Sequence, residues 1–315
     1  MNSTSEQNSI DISIVIPLFN EEESLGELMQ QIQDALHAHT YEVLFVDDGS
    51  TDESWNVIQD LTTKYDAVRG ISLGVNQGKS YALQAGFNEV QGRYAVTMDA
   101  DLQDDPAEIL EMIARLEEGY DLVSGWKKER FDPISKTIPS KFFNWVTRRA
   151  AGIQLHDFNC GLKAYRREVL KHIQLYGELH RYIPFLAKRA GFGKITEQVV
   201  QHRARKYGTT KFGLSRFING FLDLITILFV QKYLQKPMHF FGTIGVLFMA
   251  IGSVINVYLA AIKIFLNQGI GDRPLLFLGI LLMVLGVQFL STGFLGELIN
   301  KNHIHNRQPI IRKRS

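Results

Sequence analysis

The chain has 315 residues, is 45 % hydrophobic and carries a formal net charge of +1, which is enough apolar content for one sizeable folded domain and something more. The near-neutral total conceals 24 Asp and Glu against five Lys and Arg in Met1 to Gly125, and nine against 29 from Trp126 to Ser315. The basic residues gather beside apolar segments without a nucleic-acid motif, so anionic lipid is the expected partner and not nucleic acid; the lone cysteine, Cys160, excludes an internal disulfide.

The first two-fifths alternate strand and helix patterns. Ile12 to Pro17 reads as a strand, and no secretory signal is expected before it. Glu21 to Ala38 reads as an acid-started helix with Leu25, Leu28, Met29 and Ile32 on one face. Glu42 to Val46 is a second strand, followed by a helix running to about Tyr65 that Ser50 or Thr51 could cap. Val68 to Leu73 with Ala82 to Val90, and Tyr94 to Met98 with Pro106 to Glu118, supply two further pairs; Asp121 to Ser124 is a fifth strand. Such alternation predicts an α/β fold with a mostly parallel sheet covered on both faces. Gly74 to Ser80 ends like a phosphate-binding P-loop but has three residues between its glycines where four are needed, so an ordinary loop opening a helix is expected there.

The fourth strand carries the chemistry. In open α/β sheets ligands sit outside the carboxyl ends of strands, and Asp99 and Asp101 stand at such an end with Gln103 two residues on. This hard-oxygen set suits Mg²⁺ or Mn²⁺, with a phosphate-bearing ligand supplying further oxygens. Asp104 and Asp105 are expected to cap the helix that Pro106 starts. His156 has no partner at ligand spacing and is expected to be structural.

Beyond Gly125 the chain turns basic and then apolar. Residues 138 to 152 place Lys141, Asn144 and Arg148 on one helical face and Phe142, Trp145 and Val146 on another, which suits either a membrane surface or docking on the sheet. From Arg216 to Thr226 a polar arc again faces an aromatic one, predicting an interfacial helix within residues 212 to 236. Phe240 to Ile262 and Leu275 to Gly296 are uncharged runs of 23 and 22 residues. Each is about 33 Å long as helix, sufficient to cross a hydrocarbon core of about 30 Å. They predict a transmembrane hairpin within residues 237 to 298, before a basic tail over 299 to 315. Lys232, Lys236, Lys301, Arg307, Arg312, Lys313 and Arg314 flank its open end, so both termini and the domain spanning residues 1 to 211 are expected in the cytoplasm.

Five stretches taken together resemble family 2 glycosyltransferases: Ile16-Pro-Leu-Phe-Asn-Glu21, Val46-Asp-Asp-Gly-Ser50, Asn76-Gln-Gly-Lys79, Asp99-Ala-Asp-Leu-Gln-Asp104 and Asp157-Phe-Asn-Cys-Gly161. The likeness runs through the whole chain and is nearest to polyprenyl-phosphate glycosyltransferases such as dolichol-phosphate mannose synthases and undecaprenyl-phosphate glucosyltransferases. The resemblance implies a GT-A fold and inverting transfer of a hexose, glucose or mannose, from a nucleoside-diphosphate sugar to a polyprenyl phosphate at a bilayer, in a bacterial plasma membrane. It places the nucleotide sugar against Pro17, Phe19, Glu21, Val46, Asp48, Asp99 and Ala100, and the metal on Asp99, Asp101 and Gln103. Phe19 departs from the Tyr that mannose synthases tend to carry. It further implies that Lys127 meets the donor diphosphate, that Asp157 lies near the reacting centre, and that Arg205 and Lys211 bind phosphate. Self-association into a homo-oligomer is compatible with these features and is not specified by them. Two other readings are a processive polysaccharide synthase, whose Gln-x-x-Arg-Trp signature is missing here, and a non-catalytic nucleotide-sugar sensor, which would not need the acidic set.

Overall fold

A computed structural model describes residues 10–128, 148–149, 152–203, 206 and 237–304, with side chains up to residue 299. It divides into two compact units, Met1–Ile218 and Asn219–Ser315. Arg205, Lys211 and the interfacial helix expected within 212 to 236 lie outside the described residues, as does most of the segment from 138 to 152.

The first unit is built on seven strands: β1 Ile12–Leu18, β2 Tyr41–Asp47, β3 Val68–Ser72, β4 Tyr94–Thr97, β5 Leu122–Trp126, β6 Lys163–Arg166 and β7 Ile195–Val199. Their order is β3-β2-β1-β4-β6-β5-β7, and every pairing is parallel except those of β6 with β4 and β5. The mostly parallel sheet is therefore as expected, whereas the antiparallel β6, which separates the fourth and fifth strands, is not. Its four residues are too few to show a periodicity. All seven residues of β1 are buried, as a central strand with both faces covered requires.

Side-chain alternation divides the core in two. Ile12, Ile14, Ile16, Val43, Phe45 and Val96 face one side with α1 (Leu25–Leu36), α2 (Ser54–Lys64) and α4 (Glu108–Glu117). Val15, Leu44, Val46 and Ala95 face the other with α3 (Lys79–Glu89), α5 (Arg167–Lys171) and α6 (Ile183–Arg189). A Cβ at Gly86 would stand 2.4 Å from Val15 Cγ1, so glycine lets α3 lie close on β1.

Four helix starts differ from expectation, that of α3 being described with the site. The first helix begins at Leu25 because Asn20 takes φ 55° and, with Glu21 to Ser24, forms a turn after β1. Ser50 and Thr51 do not cap α2: the Ser50 hydroxyl accepts the Asn20 amide at 2.9 Å, and the Thr51 amide donates to Asn20 Oδ1 at 2.8 Å. They lace the loops after β1 and β2 together, and α2 starts at Ser54. Asp104 caps nothing; it is buried, as described below.

The second unit contains α7 (Pro237–Phe265) and α8 (Pro274–Ile304), joined by residues 266–273. Both contain the expected uncharged runs, and most of their large apolar side chains face outward, which a soluble core helix would not allow. The two helices pack tightly through small residues. A Cβ at Gly245 would lie 2.8 Å from the Gly286 carbonyl oxygen, and one at Gly252 would lie 2.7 Å from that of Gly279. Backbone-to-backbone approach of this kind is how apolar helices gain dispersion energy in a solvent as apolar as themselves.

Candidate active site

The parallel strands deliver their carboxyl ends to one edge of the sheet, and the acidic residues collect there. Pro17 lies at the end of β1 and Phe19 just beyond it; Asp47 ends β2 and Asp48 follows; after β4 come Asp99 and Asp101; after β5 comes Lys127. The antiparallel β6 starts at this same edge with Lys163, in register with Thr97 and Ser124.

Asp48 is buried and both its carboxylate oxygens are engaged. They accept the Gln77 and Gly78 amides, each at 2.8 Å. Gly49, with φ 71°, backs onto the same loop, where a Cβ would stand 2.7 Å from the Val75 carbonyl carbon. The Asp48-Gly49 pair thus clamps the segment leading into α3. Gly78, with φ 97°, turns the chain so that the helix starts at Lys79, three residues before the expected Ala82.

That early start matters, because the Lys79 ammonium pairs with Asp99 Oδ1. Burial would raise the Asp99 pKa, but the charge and hydrogen bond of Lys79, with the charges of Lys127 and Lys163, hold it at about 2. Gly161 abuts the same carboxylate: a Cβ there would lie 2.5 to 2.7 Å from all three of its atoms. The turn from Asp157 to Gly161 is therefore the floor beneath Asp99.

Asp101 has the opposite electrostatics. Burial first, then the neighbouring Asp99 and Asp104, push its pKa up to about 6. Its Oδ1 accepts the Gln103 amide at 3.3 Å, and Leu102 between them takes φ 60°, a backbone strain of about 1–3 kcal/mol for a residue other than glycine. Among the described residues no three His, Cys, Asp or Glu side chains form a metal-binding group. The available set is two carboxylates and the Gln103 amide, hard oxygens that fit Mg²⁺ or Mn²⁺ completed by ligand and water oxygens.

Lys127 and Asp104 form a pair. Lys127 Nζ lies 2.7 Å from Asp104 Oδ1, with the lysine side chain 13 % exposed and the carboxylate fully buried. Asp104 also bridges to His202 through the backbone, while Asp105 Oδ1 accepts the Ala107 amide at 3.1 Å near the start of α4. Lys163 is buried and donates to the Cys160 carbonyl; burial lowers its pKa, and the charges of Cys160, Asp157 and Asp99 oppose that shift. Asp157 is buried, and its Oδ1 accepts the Asn159 amide at 3.0 Å. His156 is structural as expected. Its ring stacks on Trp126 at 4.1 Å between centroids, its amide donates to Glu197 Oε2 at 2.6 Å, and its Nδ1 contacts Glu197 Oε1.

Residues 13–174 match the family model described as glycosyl transferase family 2. The chain belongs to that family. A dodecaprenyl-phosphate galacturonate synthase from Rhizobium johnstonii is 39 % identical over 94 % of this chain and 89 % of that protein. An undecaprenyl-phosphate 4-deoxy-4-formamido-L-arabinose transferase from Shewanella sediminis is 36 % identical over 94 % and 88 %. Among solved structures, mannosyl-3-phosphoglycerate synthase from Rubrobacter xylanophilus superposes with a TM-score of 0.56 at 18 % identity, covering 71 % of this chain and 75 % of that one. Glucosyl-3-phosphoglycerate synthase from Mycobacterium tuberculosis, in complex with Mn²⁺, UDP-glucose and phosphoglyceric acid, gives 0.53 at 21 %, covering 70 % and 79 %. These likenesses establish the GT-A fold.

In this glycosyl transferase the structure adds two cations to those read from the sequence, Lys79 and Lys163. The motif Asn76-Gln-Gly-Lys79 carried the signal for the first, although the P-loop comparison had left Lys79 without a role. Nothing in a four-residue strand marks Lys163.

Proposed function

We propose that this glycosyl transferase moves a hexosyl group from a nucleoside-diphosphate sugar to a polyprenyl phosphate, with its catalytic domain on the cytoplasmic side of a bacterial plasma membrane. The carrying observation is that one chain holds both a GT-A acidic edge and an apolar helical hairpin, and that lipid-phosphate sugar transferases match it over 94 % of its length. Glucose or mannose is the expected sugar from the motifs, and galacturonate, a hexose oxidised at one carbon, is the alternative supported by the Rhizobium relative.

The chemistry needs charge management more than proton removal. A phosphate monoester has a second pKa near 6, so at neutral pH the acceptor is largely dianionic. One of its oxygens forms a bond to the anomeric carbon while the bond from that carbon to the donor diphosphate breaks, and the nucleoside diphosphate leaves with the electron pair. Attack from the side opposite the leaving group inverts the centre. Asp99, Asp101 and Gln103 would hold Mg²⁺ or Mn²⁺, which when bound neutralises charge on the departing diphosphate. Pro17, Phe19, Glu21, Val46, Asp48 and Ala100 form the proposed donor-binding edge. For Asp48, contact with a nucleotide would share a carboxylate that already holds the Gln77 and Gly78 amides. For Lys127, contact with the diphosphate would share the ammonium with Asp104; Lys79 and Lys163 are further cations beside Asp99. Arg205 and Lys211 are proposed to take the acceptor phosphate, and Asp157 to orient the sugar or a neighbouring cation.

Membranes containing the protein, supplied with radiolabelled UDP-glucose, UDP-galacturonate or GDP-mannose and a short-chain polyprenyl phosphate, should move label into an organic-extractable lipid with one of the three. Label in a water-insoluble polymer would instead indicate a processive synthase, and nucleotide-sugar binding without any transfer would indicate a sensor.

A further inference from the structure

The 3₁₀ helix Leu179–Tyr182 meets the first turn of α3 at Ser80, and neither the motifs nor the relatives assign it a role. The fully buried Ser80 hydroxyl, in the first turn of α3, accepts the His180 backbone amide at 3.1 Å and lies 3.0 Å from His180 Nδ1. A buried hydroxyl proton needs an acceptor, and Nδ1 is the one within reach among the described residues. Ser80 therefore donates to Nδ1, and the imidazole proton is fixed on Nε2. Among the described residues the Nε2 side has no hydrogen-bond partner.

The ring's surroundings keep it uncharged. Burial first, then the charges of Lys79, Arg181 and Lys163, lower the His180 pKa well below the usual value, with Asp99 opposing. His180 is held on Ser80, whose chain neighbour Lys79 pairs with Asp99, so the imidazole stands beside the acidic edge. A diphosphate calls for cations, which this edge already has. A fixed N–H without charge suits the oxygens of a sugar, where direction matters more than charge.

We propose that His180 contacts the donor sugar, hydrogen-bonding one of its oxygens through an Nε2–H whose position Ser80 sets. This rests on the nucleotide-sugar reading above and names a residue that would read the sugar and not the nucleotide. It also makes His180 a donor and not a proton acceptor, consistent with an acceptor phosphate that needs no base.

The test separates the two ring nitrogens. In His180→Gln the amide nitrogen can occupy the Nε2 position; in His180→Asn the side chain reaches only the Nδ1 position. Binding to the full-length protein in detergent is measured for UDP-glucose, UDP-galacturonate and GDP-mannose, each beside UDP or GDP. For the sugar that binds, His180→Asn should lose about tenfold or more in affinity, the scale of one hydrogen bond, while its nucleoside diphosphate binds unchanged. His180→Gln should stay within about threefold of the wild type. Nitrogen NMR of labelled histidine should show the Nε2–H tautomer in the wild type and a mixture in Ser80→Ala. Equal sugar-nucleotide affinity in wild type and His180→Asn, equal losses for diphosphate and sugar nucleotide, or an Nδ1–H tautomer in the wild type would each overturn the proposal. A wild type that binds none of the sugar nucleotides would instead remove the transfer reading, and this inference with it.

Discussion

Asp99 and Asp101 are two residues apart in sequence and far apart in electrostatics. Lys79 compensates the first, while the second sits among other carboxylates and is raised to about 6. Asp101→Asn is expected to lower transfer by more than about 10²-fold, since charge stabilisation of the leaving group is lost while the residue's place at the sheet edge spares the fold. Activity near wild type in saturating Mg²⁺ and Mn²⁺ would rule out its role as a ligand. The raised pKa has a second consequence, and its sign is fixed by linkage. Between about pH 4 and 6 the folded protein holds a proton on Asp101 that the unfolded chain has released, so this group's stabilising contribution is present at low pH and is lost as pH rises through 6. A divalent cation must displace the same proton. Apparent Mn²⁺ affinity, followed by calorimetry, should therefore be flat above pH 6 and fall by about tenfold per unit below it. An affinity independent of pH between 5 and 7 would show that Asp101 does not bind the metal.

At the scale of elements, the helical pair α7 and α8 depends on glycine at its closest approaches. A Cβ at Gly286 would meet Met249 Cγ at 2.5 Å and the Gly245 carbonyl oxygen at 2.8 Å. Gly286→Leu should force the helices apart at a cost of about 1–3 kcal/mol, the usual scale of overpacking. Lower thermal stability in detergent is the expected readout, with Gly269→Leu in the connecting loop as control, because nothing lies within 4 Å of a Cβ there. Similar melting of both variants would mean that the helices do not depend on this contact. In the first unit, the first turn of α3 brings Lys79 to Asp99 and Ser80 to His180. Its early start at Lys79 is set by the backbone of Gly78 and by the clamp of Asp48 on residues 77 and 78.

For the whole molecule, the proposed orientation rests on the basic residues flanking the open end of the hairpin. A cysteine placed at Gly269 should react with an impermeant maleimide from outside intact cells, and one at Lys313 should react only after permeabilisation. The native Cys160 need not be removed: it is buried, and burial with the Asp104 charge pushes its thiol up to about 12. Labelling of both positions from the same side would defeat the hairpin. By itself the sequence determined the alternation of strand and helix, the acidic end of the fourth strand and the two apolar spans, because each is written in local periodicity or in an uninterrupted run. Only the tertiary structure decided that β6 enters antiparallel, that Asp104 pairs with Lys127 and not with a helix end, that Lys79 and Lys163 join the acidic edge, and that His180 packs on Ser80 next to Lys79. Those facts depend on contacts between residues as much as 100 positions apart, as with Ser80 and His180, and no local pattern encodes which distant side chain will neutralise a buried charge.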